Sequence, residues 1–118
     1  MFMVDDFLAV DYIWAQALPV RQRAMRGLAA IVDESFGLEA ASLAEKLRSH
    51  GAIRTLVRLL DDESSGVHHR ALMVLGNLVG EFFDDEANQS LALLCDAGGL
   101  EKVLDHLERP FPSNLYAA

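Results

Sequence analysis

Apolar residues recur at spacings of three and four positions along most of this 118-residue chain. That periodicity places them on one face of an amphipathic helix. No segment alternates apolar and polar residues as a half-buried strand does, and no hairpin turn motif is present. The pattern therefore predicts an all-α protein. The predicted helices cover residues 2–18, 20–34, 38–49, 52–60, 67–80, 86–97 and 100–108.

Proline and glycine mark several of the predicted helix boundaries. Pro19 ends the first helix and fits the first turn of the second, where a missing N–H costs nothing. Gly51 and Gly98 follow the third and sixth helices, and glycine accepts the left-handed conformation that a helix end often needs. A polar turn at 61–66 and an acidic, aromatic connector at 81–86 separate the remaining helices.

The apolar face of each predicted helix supplies candidate core residues. In the sixth helix we expect Leu91, Leu94 and Cys95 to point inward, so Cys95, the only cysteine, is predicted to be a buried structural thiol. The inward candidates of the second to fifth helices are Ala24, Leu28, Ile31, Val32, Leu43, Leu47, Ile53, Leu56, Val57, Leu60, Ala71, Leu72, Leu75, Leu78 and Val79.

The chain repeats itself after 47 positions. Eleven of the 32 residues from Val20 to Gly51 recur unchanged 47 positions later, between Val67 and Gly98. A period of about 40–50 residues in an all-helical chain is typical of a solenoid, in which helical units stack side by side. The period predicts a partial repeat at 1–34, a complete repeat at 38–80 and a partial, truncated repeat at 86–118.

Three stretches of the sequence resemble the armadillo repeat. They are Gly51-Ala52-Ile53-x-x-Leu56-Val57-x-Leu59-Leu60, Ala71-Leu72-x-x-Leu75-x-Asn77-Leu78 and Gly98-Gly99-Leu100-x-x-Val103-Leu104-x-x-Leu107. The first and third resemble the start of that family's second helix, and the middle one resembles its third helix. The glycine before the second helix and the Asn-Leu pair favour armadillo over the related HEAT repeats. The resemblance implies a right-handed α–α superhelix of about two and a half repeats of 47 residues.

The repeat departs from the usual armadillo unit in its length. The excess residues lie after the third helix of each copy, at 35–39 and 81–86. The last partial repeat ends in the apolar segment Leu115-Tyr116-Ala117-Ala118, whereas a solenoid normally ends in a polar capping unit. We therefore expect the chain to be part of a longer array in which further repeats flank it.

The charge balance disfavours two classes of partner. Eighteen acidic and 10 basic side chains give a formal net charge of −8. This disfavours nucleic acid and anionic membrane surfaces, which are bound through Lys and Arg. No apolar run reaches the length that spans a bilayer, and one cysteine allows no intrachain disulfide. The apolar start at residues 1–4 has no basic region and is followed by Asp5 and Asp6, so we do not expect it to act as a signal peptide. The expectation is an intracellular protein, cytoplasmic or nuclear.

No motif in the sequence points to catalysis or to a cofactor. Glycine-rich phosphate loops and catalytic triad motifs are absent. His68 and His69 are adjacent on a helix, so they point about 100° apart, and no further His or Cys sits at a ligand spacing. The connector 81–86 lacks the spacing and glycine of a calcium loop. We therefore expect no enzyme activity, cofactor or metal site.

The resemblance implies a peptide-binding groove along the third helices. Asn77 stands where an armadillo asparagine holds the backbone of an extended peptide, although it could instead bond a helix backbone. By helical spacing and by the 47-residue offset, the groove candidates are Gln22, Arg26, Ala30, His69, Met73, Asn77 and Glu81. This row mixes positive and negative charge, so it identifies no ligand class, and a solvated helix face is the alternative.

Three hypotheses of function follow. The first is a non-enzymatic interaction module or scaffold that binds a partner protein or extended peptide along its concave face. The second is a structural spacer or docking segment of a larger multidomain protein. The third, and weakest, is a transport receptor similar to importin-alpha. Such receptors carry a tryptophan four residues before the groove asparagine, where this chain has Met73 and, one repeat earlier, Arg26.

Overall fold

The structure, a computed structural model, describes residues 3–10, 12–80 and 86–108. All regular secondary structure within these ranges is helical, which confirms the predicted fold class at the level of an all-α protein. The elements are α1 (Val4–Leu8), a 3-10 helix (Ile13–Ala15), α2 (Leu18–Glu34), α3 (Gly37–Ser49), α4 (Ala52–Leu59), α5 (Ser65–Leu78), α6 (Ala87–Asp96) and α7 (Gly99–Glu108).

The boundary residues act as the sequence predicts. Gly51 and Gly98 both lie in the left-handed region, with φ values of 73° and 72°, where the chain leaves one helix and enters the next. Pro19 lies in the first turn of α2. The left-handed conformation is costly for residues with a Cβ atom, so these two glycines fix where α3 and α6 stop.

The prediction of one continuous helix over residues 2–18 is wrong. The chain forms α1, then breaks at Tyr12, which is left-handed with φ 50°, and continues as the 3-10 helix. Phe7 and Ile13 are both buried. Six residues apart on one α-helix, they would point about 120° away from each other. The break lets both side chains reach the same core, where each gains the free energy of apolar burial.

The core lies mainly between α2, α3, α4 and α5. Its fully buried large side chains are Ile13, Met25, Leu28, Val32, Leu47, Leu56, Leu59, Leu60, Val67, Val74, Leu75 and Leu78. Most were expected at these positions from the helical periodicity. Leu38, at the start of α3, is 90% exposed.

The predicted inward face of α6 is rotated by one residue. Leu91 is 42% exposed and Cys95 is exposed, so their predicted burial is wrong. The buried stripe instead comprises Ala87, Ser90 and Leu94. A serine can take the central position because its hydroxyl accepts a hydrogen bond of 3.0 Å from Nη1 of Arg48, which satisfies the buried oxygen.

Helices that lie one period apart in the sequence contact each other. α2 packs against α5, α3 against α6 and α4 against α7, and the contact between α2 and α5 is the most extensive. The start of α7 approaches α4 so closely that a Cβ atom at Gly99 would lie 2.6 Å from Cγ2 of Val57. The Cα radius of gyration is 13.4 Å, a value expected for a compact domain of this length.

A nearly buried ion pair joins α2 to the turn before α5. Nε of Arg21 donates to Oδ2 of Asp62 at 2.6 Å, and the side chains are 13% and 6% exposed. Nη1 of Arg21 also donates to the carbonyl oxygen of Gln16 at 2.6 Å, and Oδ1 of Asp62 accepts from the Ser64 N–H at 2.9 Å. Both charges are therefore compensated by several hydrogen bonds, which is the condition under which a buried pair is tolerated.

Arg21→Ala should destabilise the chain by about 3 kcal/mol, because it leaves the Asp62 carboxylate buried without a counter-charge. The matched control is Lys102→Ala, which removes the ion pair with Asp61 across a comparable sequence separation. That pair is exposed, so its loss should cost less than about 1 kcal/mol. Urea denaturation of both variants measures the difference. Equal losses would contradict the special role of the Arg21–Asp62 pair.

Candidate partner-binding surface

The predicted groove residues lie on two helices that pack side by side. Gln22, Arg26 and Ala30 are on α2, and His69, Met73 and Asn77 are on α5. Each of these side chains reaches solvent: Arg26, Ala30 and Met73 are exposed and the other three are half-buried. Glu81 lies outside the described residues.

Asn77 makes a hydrogen bond within its own helix. Its Nδ2 donates to the carbonyl oxygen of Met73 at 2.9 Å. A side-chain amide has two N–H donors and a carbonyl acceptor. The bond to Met73 uses one donor and holds the amide in a fixed orientation. The second N–H donor and the carbonyl acceptor can still bond to a partner.

A cavity of about 400 Å³ opens on the exposed face of α5. Its walls include His69, Met73 and Arg70, with Ser65 and Gly66 at the N-terminal end. Arg70 was not among the predicted groove residues. Its Nη1 donates to the carbonyl oxygen of Gly66 at 3.1 Å, which holds the guanidinium beside the cavity.

A second cavity, of about 690 Å³, lies between α1 and α2. Its walls are apolar at Val10 and Val20 and carry charge at Asp6, Arg23 and Arg26. Two residues of its α2 wall lie 47 positions before two wall residues of the α5 cavity. Arg23 stands where the α5 cavity has Arg70, and Arg26 stands where it has Met73. Both arginines could have been predicted from the sequence, because the repeat carries the same residue at positions 23 and 70.

Three histidines meet where α5 contacts the C-terminal end of α7. The ring of His68 lies 4.9 Å from that of His69 and 5.2 Å from that of His106, measured between centroids. His68 Nδ1 is 2.7 Å from the carbonyl oxygen of Asp62, and His106 Nε2 is 2.7 Å from that of Leu60. Carbonyls only accept, so both ring nitrogens carry hydrogen. Within residues 3–10, 12–80 and 86–108, no three His, Cys, Asp or Glu side chains are arranged to hold a metal ion.

The histidine cluster affects the charge state of His69. Burial lowers the pKa of His69 below its usual value, and the neighbouring His68 and His106 lower it further. His106 was missed in the sequence because it is 37 positions from His69, and only the tertiary packing of α7 brings it close.

The described part of the chain contains no helix that is both long and apolar enough to cross a membrane. Comparison of the chain with models of protein families, with curated proteins and with solved structures finds no match.

The lowered pKa of His69 predicts a loss of stability as the pH falls. Between the folded-state pKa and the usual value of about 6.5, the unfolded chain binds more protons at this position than the folded chain. The contribution of His69 to stability is therefore complete above about pH 6.5, decreases as the pH falls from 6.5 towards the folded-state pKa, and is lost below that pKa. Urea denaturation at several pH values from 8 to 5 measures it.

His69→Gln is the matched variant, because it keeps a polar side chain that cannot take up this proton. The loss of stability on acidification should be smaller in His69→Gln than in the wild type. An equal or larger loss in the variant would contradict the role assigned to His69.

Proposed function

We propose that this chain is a protein-interaction module of the armadillo type. In this proposal it forms part of a right-handed α-solenoid and binds a partner protein or an extended peptide along the exposed faces of α2 and α5. The supporting sequence features are the 47-residue period, the glycines at 51 and 98, and the motif that contains Asn77. The contact of each of α2, α3 and α4 with its counterpart one period later is the packing expected of stacked units.

The observation that carries the proposal is the correspondence between the two cavities. Each lies against a third helix of the proposed repeat, and the positions of Arg23 and Arg26 on α2 match those of Arg70 and Met73 on α5. A surface that repeats with the structural unit suits an extended ligand, because successive ligand segments then meet equivalent positions. A single pocket for a small substrate would not be expected to recur at equivalent positions of successive repeats.

The chemistry of the two cavities suits a peptide of mixed character. Met73 is 42% exposed, and its flexible thioether adapts to apolar side chains of different shape. Arg23, Arg26 and Arg70 can hydrogen-bond to backbone carbonyls or carboxylates. Asn77 retains an N–H donor and its carbonyl acceptor, which match the acceptor and donor of a peptide backbone.

A structural spacer within a longer protein is the second candidate function. It is favoured by four exposed leucines on α6 and α7, Leu91, Leu93, Leu100 and Leu104, each at least 39% exposed. A further repeat of the same chain would cover such a surface. A transport receptor similar to importin-alpha has less support, because Met73 and Arg26 occupy the positions at which that class carries tryptophan.

Simultaneous replacement of Met73 and Asn77 by alanine should weaken a bound peptide about tenfold without unfolding the chain. Both side chains reach solvent, so their truncation removes ligand contacts and little core packing. The ligand is first obtained by selecting a random peptide library on the immobilised wild-type chain. Isothermal titration then compares the selected peptide on wild type and variant, with circular dichroism to check folding.

The matched control is Leu38→Ala, which removes a 90% exposed side chain from α3. It should bind the selected peptide as tightly as the wild type. Selected peptides that bind Met73→Ala/Asn77→Ala with unchanged affinity would refute the proposed surface. Failure to select any peptide would favour the spacer.

A further inference from the structure

A further groove, of about 560 Å³, lies beside α4. It is bounded by α4, the 3-10 helix and the turn into α7, and shares no wall residue with the α2 and α5 cavities. Its walls carry Trp14, Arg54, Arg58, Asp61, Asp62 and Lys102. Its volume is within the range of small-ligand and peptide sites.

The aromatic ring of Trp14 holds one cation of this groove in place. The guanidinium carbon of Arg58 lies 4.2 Å from the centroid of the Trp14 ring. Trp14 itself packs against the hydrophobic core, so its ring provides a fixed platform. The attraction between a guanidinium and an indole face uses none of the guanidinium's N–H donors, so these can still bind a ligand. Arg58 is therefore oriented before any ligand arrives, which lowers the entropy cost of binding.

The acidic residues of the groove are already paired with other cations. Asp62 is bonded to Arg21, and Asp61 is bonded to Lys102. Arg54 and Arg58 are exposed, and neither forms an ion pair with another residue in the described ranges. The groove thus holds two uncompensated guanidinium groups in a chain whose net charge is −8.

We propose that this groove binds an acidic peptide in extended conformation, with two carboxylate side chains separated by one residue. Arg54 and Arg58 are four residues apart on α4, so their Cα atoms are separated by about 6 Å along the helix axis. Side chains at i and i+2 of an extended peptide lie on one face about 6.6–6.8 Å apart. The spacing of the two arginines on α4 matches the spacing of the two carboxylates on the peptide, so each carboxylate can contact one guanidinium. The planar pair of N–H donors of an arginine also suits the two oxygens of a carboxylate.

The same groove fits a nucleic acid less well. A nucleic acid needs a continuous track of cations to replace its counterions, whereas here two free arginines are bordered by Asp61, Asp62 and, beyond Arg54, Asp96. A short peptide engages only the two arginines. At 0.1 M salt the Debye length is about 10 Å, so more distant acidic residues contribute little repulsion.

Trp14 provides a local readout, because it is the only tryptophan of the chain. The probe is the capped hexapeptide Ala-Glu-Ala-Glu-Ala-Ala, titrated at 0.1 M salt while the Trp14 emission is recorded. The emission should change in a saturable way. Nitrogen-15 NMR spectra provide a second affinity measurement that does not depend on the environment of Trp14.

Arg54→Gln and Arg58→Gln should each weaken the peptide about two- to fivefold, and the double variant about tenfold. The conservative variant Arg54→Lys/Arg58→Lys keeps both charges and should retain measurable binding. Lys46→Gln is the control, because it removes a solvent-accessible cation from α3 that lines neither this groove nor the α2 and α5 cavities. It should bind the probe normally.

Three results would overturn the proposal. The first is the absence of saturable binding to the wild type. The second is unchanged affinity in the folded Arg54→Gln/Arg58→Gln variant, which places the peptide elsewhere. The third is equal or tighter binding of an oligothymidylate, which makes the groove a site for phosphate polyanions. Each leaves the α2 and α5 proposal untouched, because the two surfaces share no residue.

Discussion

The structure depends on the burial of the apolar stripe of α2 against α5. Leu28 and Val32 of α2, and Leu75 and Leu78 of α5, are almost completely removed from water. Neither helix could bury this surface alone, since an amphipathic helix needs a second apolar face to cover it. The Arg21–Asp62 pair lies beside this contact and constrains the register of the two helices through hydrogen-bond geometry. Helices α1 and α4 pack against this pair, and the contacts of α3 with α6 and of α4 with α7 repeat the 47-residue offset in the rest of the chain.

This packing determines what the surface can offer a partner. The residues at positions 22, 26 and 30 of α2 and 69, 73 and 77 of α5 reach solvent because the buried stripes occupy the other sides of these helices. Helix α4 buries Ile53, Leu56 and Val57 and leaves Arg54 and Arg58 outside. The proposed peptide surface and the proposed acidic-peptide groove are therefore two consequences of one constraint, since each helix must bury one stripe and expose another.

Much of the fold follows from periodicity, because apolar spacing and glycine position are properties of the chain itself. Leu28, Leu47 and Leu75 are buried as the spacing predicts. The failures occur where a tertiary contact decides the outcome. Tyr12 interrupts a stretch that has helical spacing, because Phe7 and Ile13 both enter the core.

Contacts of polar residues are the second reason why the structure departs from the periodic pattern. Ser90 displaces Leu91 from the interior because Arg48 satisfies its hydroxyl, and a pattern of apolar positions contains no information about that partner. His106 joins His68, and Arg58 reaches Trp14, only through the folded arrangement. The residues proposed to line a groove on α2 and α5 could be chosen from the sequence, because they follow the helical spacing and the repeat. The groove beside Trp14 could not be predicted, because its residues come from segments that differ between repeats.

We propose that the 47-residue segment is a structural unit that stacks on its own copy. Insertion of a second copy of residues 38–84 after residue 84 tests it most directly, because the added segment equals one period and keeps every following residue in register. Thermal and urea unfolding, followed by circular dichroism, compare the lengthened chain with the original. A stacked array should keep its helical signal per residue, unfold cooperatively, and gain in melting temperature and in denaturant dependence as buried surface grows. A lengthened chain that loses helical signal per residue, or melts earlier than the original, would contradict the account.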